Sequence, residues 1–163
     1  MIMLLPALTV LAALGSGVMA GLFFAFSSFI MTAFSKLPPE QGIAAMNSIN
    51  VTILNATFSI AFFGTALLCV ALGIVSILRW ADSGSAWLLL GSALYLIGII
   101  VVTIVFNVPL NDALQATSPA TTEGSALWTR YLAEWVSWNH IRTLAGMGSL
   151  IAFILAYGKL VAA

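Results

Sequence analysis

Side chains able to do chemistry gather in three separated stretches of this sequence. The first holds Asn47 and Asn50. The second holds Asn107 and Asn111, four residues apart with Pro109 between them. The third holds Glu134, Trp138, Asn139, His140 and Arg142. An asparagine amide both donates and accepts hydrogen bonds, and arginine is a permanent cation with a fork of N–H donors. A histidine can take or give a proton near neutrality. These types, drawn from separate stretches, suggest a shared polar network or a bound ligand. They do not suit a metal. His140 is the one histidine, Cys69 the one cysteine, and the carboxylates are scattered, so no paired-ligand spacing exists. No metal site is expected. His140 alone could ligate a haem, although the chemistry considered below requires no cofactor. No glycine-rich phosphate loop or local Ser-His-Asp pattern is present. The triplets at Asn50 and Asn55 match glycosylation acceptors only in form, since apolar runs adjoin them.

The elements that must position these residues follow from composition. The chain has 163 residues, 62% hydrophobic and 6% charged, against about 25% charged in a soluble domain. Net charge is zero, so no basic face exists for nucleic acid. The length allows one domain, and Cys69 has no partner for a disulfide. The apolar start has no preceding Lys or Arg and runs on past Ala20, so it reads as a retained span and not a cleaved signal.

The charged residues punctuate four apolar stretches, roughly 3–34, 51–78, 86–107 and 138–158. Each reaches the roughly 20 residues a bilayer requires, and unpaired backbone groups in lipid demand helices. The fold class is therefore all-α, a single transmembrane four-helix bundle. Helices two and four are expected to continue beyond the bilayer, from near Glu40 and near Ser125. A polar hairpin from Arg79 to Ser85 makes spans two and three antiparallel neighbours. Residues 117–125 (TSPATTEGS) form the one flexible loop. The five tryptophans fall near the span ends, as an aromatic belt does.

Small residues mark the seams along which helices approach in lipid. Helix one offers Ala13, Gly17, Gly21 and Ala25, and helix four offers Ala145, Ser149, Ala152 and Ala156. The larger Leu144, Met147, Ile151, Ile154 and Leu155 should face lipid. At about 1.5 Å per residue, Asn107 lies about 30 Å from Trp87 and Arg142 about 25 Å from Lys159, so the polar residues share one layer at the membrane face. At about 100° per residue, Glu134, Trp138 and Arg142 lie within about 50° of the small stripe and should point inward, with Trp138 placed to stack on the guanidinium. His140 falls about 160° from Arg142 by the same count.

The segments Asn107-Val108-Pro109-Leu110-Asn111 and Trp135-x-x-Trp138-Asn139-His140-x-Arg142-Thr143 resemble the anthrone-oxygenase-like family of small four-helix membrane proteins. Residues 17–28 (GVMAGLFFAFSS) and the Met46-Asn47-x-x-Asn50 segment are similar too. The resemblance implies oxygenation of an anthrone or similar quinol. An anthrone has an acidic C–H, and its enolate is electron-rich enough to meet O2. The resemblance suggests His140 as base, Arg142, Asn107 and Asn111 as stabilisers of the anion, and Trp138, Asn139, Glu134, Asn47 and Asn50 around the substrate. The helical count sets His140 and Arg142 apart, which opposes that pairing.

The partners expected are the lipid bilayer, a lipophilic small molecule and a further copy of the chain. A cell (inner) membrane with both termini cytoplasmic is expected from the acidic residues on the other side. The competing reading is a non-enzymatic membrane protein, either a lipophilic-ligand binder or a small subunit of a complex. A channel is disfavoured, because no charge marks an ion path at mid-membrane.

Overall fold

Apolar runs and their capping residues produce five helices in the computed structural model, which describes residues 4–162. They are α1 (Leu4–Phe34), α2 (Pro39–Thr52), α3 (Ala56–Leu78), α4 (Ser85–Ala116) and α5 (Thr122–Val161). No strand occurs among the described residues. Helices α1, α3, α4 and α5 are long and apolar enough to cross a membrane. Their outward faces carry Ile60, Leu67, Leu78 and Leu144, a surface that water would not tolerate. The protein is an integral membrane protein. Met3, the expected first residue of span one, lies outside the described residues. At 40 residues, α5 is about 60 Å long, twice the hydrocarbon thickness, so it does extend beyond the bilayer.

The extension of the second span is not continuous. Pro39 starts α2, and the helix stops at Thr52. Asn55 takes an extended conformation, and its side chain accepts the Phe58 N–H at 3.0 Å while donating to the Thr52 carbonyl at 3.0 Å. One asparagine thus caps both broken ends, which makes a break cheap even beside lipid. Residues 79–84 form the expected hairpin, with Gly84 at φ +93° and Ser85 Oγ donating to the Arg79 carbonyl at 2.6 Å. The loop at 117–125 is shorter than expected. Thr121 accepts the Gly124 N–H at 3.0 Å and starts α5 at Thr122.

The α1–α5 seam is the most extensive helix contact. On α5 the expected stripe holds: Ala145, Ser149, Ala152 and Ala156 are buried, and Leu144, Met147, Ile151, Ile154 and Leu155 are exposed. On α1 the seam is turned by part of a residue's arc. Ala12, Ala13, Ser16, Ala20 and Phe23 are buried, Gly21 is exposed and a methyl added there would touch nothing. Of the GxxxG pair only Gly17 faces α5, where an added methyl would meet the Leu150 side chain at 3.5 Å. Ser16 and Ser149 hydroxyls meet at 3.0 Å across the seam, and Ser149 also donates to the Gly91 carbonyl at 2.8 Å.

Two apolar clusters fill the bundle. One surrounds Cys69, Leu72, Leu88, Tyr95 and Phe153, and the other surrounds Ile43, Met46, Leu114, Trp128, Tyr131 and Trp135. Trp128 and Trp135 are buried in the second cluster, which corrects their expected place in an aromatic belt. Trp128 lies under Gly42, where an added methyl would fall 2.7 Å from its ring, so that glycine lets α2 rest on α5.

Candidate functional site

The polar side chains converge where α1, α4 and α5 meet between the two clusters. Asn139 is the hub. Its Nδ2 donates to the Phe23 carbonyl and to Ser27 Oγ, both at 2.7 Å, and its Oδ1 accepts from Arg142 at 2.8 Å. Arg142 also donates to Thr103 Oγ1 at 3.3 Å. Its guanidinium carbon lies 4.3 Å from the Phe23 ring centroid and 4.9 Å from that of Trp135. Arg142 is only 5% exposed. The ion pairs among the described residues are Arg79 with Asp82 and Arg130 with Glu134, so no carboxylate balances Arg142. Buried charges are normally paired. Here two aromatic faces and two neutral acceptors hold the cation, leaving its charge available.

π-helical turns shape the site. Pro109 lacks an N–H, which releases the carbonyl four residues earlier. Residues Thr103–Asn107 form a π-turn, and the Val108 N–H reaches back five residues to the Thr103 carbonyl. Residues five apart in an α-helix point about 140° apart. The wider turn instead brings Thr103 onto one stripe with Val108, Asn111, Asp112 and Gln115, all of which line a cavity. A second π-turn, Phe26–Ile30, sets Phe26 and Met31 on one buried face of α1 beside the Asn139 bonds.

That cavity has a volume of about 310 Å³. Its aromatic walls are Phe23, Phe26, Phe58, Phe62 and Trp135, and Arg142 is among its lining residues. Val51, Leu54 and Val108 line it and are exposed, which puts its mouth at the break between α2 and α3. Of six buried polar atoms without partners among the described residues, one is the Ser92 hydroxyl, away from the cavity, and five belong to residues in or behind its walls. Three are donors, on Asn50, Trp135 and Arg142, and all three residues line the cavity. Two are acceptors, on Asn47 and Asn107, and neither residue lines it. The lining therefore has surplus N–H donors and a cation at its buried end, with the Asp112 carboxylate at its exposed rim, and suits a flat apolar ligand with an acceptor oxygen directed to Arg142.

The expected residues distribute unevenly. Asn50, Asn111 and Arg142 line the cavity, and Asn139 holds Arg142. Asn111 accepts the Tyr131 hydroxyl at 2.7 Å. Asn107 stands behind the wall and donates to the Trp135 carbonyl at 3.2 Å, and Asn47 donates to the Leu114 carbonyl at 3.5 Å. Glu134 and Trp138 do not point in. Glu134 pairs with Arg130 at 2.8 Å on an exposed face, and Trp138 stacks on Phe106 with centroids 3.6 Å apart. Trp135, not Trp138, stacks near the guanidinium. The buried face of α5 runs through Trp128, Tyr131, Trp135, Asn139, Arg142 and Gly146, close to a 3.5-residue repeat. Glu134 falls off that seam, whereas Trp138 shares the phase of Tyr131 and is drawn aside by its stack on Phe106. His140 is exposed and lies outside the cavity lining, so it does not meet Arg142. A haem on His140 would sit on the outer face of the bundle. No cluster of three metal-ligating side chains occurs among the described residues.

The sequence reading passed over Phe23, Thr103 and Asp112, and took Trp135 for a belt residue. The Trp135, Asn139, Arg142 spacing of four then three was a visible heptad signal. Phe23 carried no signal, being one apolar residue in an apolar run.

No curated protein and no solved structure matches this sequence. Residues 55–153 match the family model described as anthrone oxygenase, a segment that includes Thr103, Asp112, Trp135, Asn139 and Arg142. That match covers more than half of the chain, and the chain therefore belongs to the anthrone oxygenase family.

Proposed function

We propose that the protein is a membrane-embedded oxygenase-type oxidoreductase that holds a lipophilic aromatic ketone of the anthrone kind as its oxyanion against Arg142. The observation that carries this reading is a buried guanidinium without a carboxylate beside an aromatic-walled cavity. Removing a proton from the substrate methylene leaves the electron pair in an enolate, and the cation lowers the energy of its oxygen. The enolate carbon then reduces O2 and binds it. Loss of the second methylene proton and cleavage of the O–O bond leave a carbonyl. One oxygen atom stays in the quinone, and the other leaves as water with the two hydrogens.

The test is oxygen uptake by the purified protein in lipid nanodiscs with an anthrone. One O2 consumed per quinone formed, with His140→Ala as active as wild type, is the expected result. Ligand binding without oxygen uptake would instead identify a non-enzymatic binder of lipophilic anions. Loss of turnover in His140→Ala would move the chemistry to the outer face.

Pro109 supplies a second test. Pro109→Ala restores the missing N–H and allows the π-turn to relax to α-helix, rotating Thr103 out of line with Asp112. Turnover should fall about tenfold, a barrier change of about 1.4 kcal/mol. The thermal midpoint should not fall, because a helix gains a bond it lacked.

A further inference from the structure

We infer that the Asp112 carboxylate is the proton acceptor that generates the enolate. This deepens the oxygenase reading and rests on it. A base is required, and His140 lies outside the cavity. Among the lining residues only Asp112 and Arg142 are charged. Helices α1, α2 and α3 contribute no titratable side chain to the lining, α5 contributes Arg142, and Tyr131 stands behind Asn111. Asp112 has no ion-pair partner among the described residues, so its lone pairs are free to accept a proton.

The spacing along α4 suits the task. Thr103 touches one end of the guanidinium, and Asn107 is level with Trp135 below it. Asp112 follows these two by nine and five residues, about 13 and 8 Å at the helical rise. A ring with its ketone oxygen on Arg142 and its opposite methylene on the carboxylate needs about 10 Å. That is a hydrogen bond of about 3 Å at each end and a ring of similar width between. Burial grades the two ends. Arg142 is enclosed, where a fixed positive charge acts most strongly on a developing anion. Asp112 is exposed at the rim of the cavity. In the step itself the methylene C–H bond breaks, its electrons enter the enolate, and its proton forms the Asp112 O–H bond. O2 is the oxidant in the step that follows.

The test compares Asp112→Asn with wild type in nanodiscs across pH. The substitution is isosteric and lies on an exposed position, so the fold should stand. Expected is a loss in kcat of about 10²–10⁴-fold at neutral pH with KM little changed. Activity should return at alkaline pH, where the anthrone arrives already ionised, whereas Arg142→Ala should show no such rescue. Asp112→Glu should retain part of the rate. An Asp112→Asn protein with wild-type turnover and an unchanged pH profile overturns the inference and leaves the oxygenase reading intact. A wild-type protein that consumes no oxygen overturns the reading, and the inference falls with it.

Discussion

Arg142→Ala should lower anthrone-dependent oxygen uptake by about 10²–10³-fold, the usual cost of losing an oxyanion donor, about 3–4 kcal/mol. The size follows from burial. The guanidinium is enclosed by Phe23 and Trp135, so its field is screened little by water. Nothing nearby can replace it, because no other cation lines the cavity. Arg142→Lys should recover only part of the loss. A lysine restores a charge but lacks the planar fork whose two separate nitrogens reach Asn139 Oδ1 and Thr103 Oγ1. Steady-state oxygen uptake measures both. A wild-type rate in Arg142→Ala would remove the guanidinium from the chemistry.

Gly146→Val should lower the stability of the α1–α5 seam. A Cβ at this position would lie 3.0 Å from the Cβ of Ala20, 3.2 Å from its Cα and 3.3 Å from its nitrogen. Two of those atoms are backbone, so α1 must move away as a body. Overpacking typically costs about 1–3 kcal/mol, and a thermal midpoint should drop by about 2–12 °C for a chain of this size. Gly21→Ala is the control. Gly21 belongs to the GxxxG pair on α1, next to Ala20, yet a methyl there meets nothing within 4 Å, and its midpoint should stay unchanged. Circular dichroism melts in one detergent compare the two. Equal melting of both variants would mean that α1 and α5 are not held at this contact.

The two glycines show where sequence reading ran out. Spans are legible because charges are too costly inside lipid, so the gaps between Glu40, Arg79, Asp82 and Asp112 mark the segments. The lipid-facing side of α5 is legible because bulky and small residues separate cleanly along it. Helix α1 is apolar all round, so the spacing of its small residues did not fix its rotation to within one residue. The break before α3 was hidden for a different reason. Asn55 reads as an isolated polar residue, and only its backbone conformation reveals a cap. At the site, the amides and Arg142 stood out against an apolar background. The aromatic walls did not, since Phe23, Phe26 and Phe58 look like any membrane phenylalanine until the π-turns of α1 and α4 set which faces meet.

The gap between α2 and α3 has a practical corollary. On the proposed oxygenase reading, the substrate reaches the cavity from the acyl-chain phase past Val51, Leu54 and Val108, three exposed apolar lining residues. The quantity that sets occupancy is then the mole fraction of substrate among the lipids and not its molarity in buffer. Adding empty vesicles to a fixed amount of anthrone dilutes it in two dimensions. Half-saturation values from preparations with different lipid-to-protein ratios become comparable only after conversion to surface density.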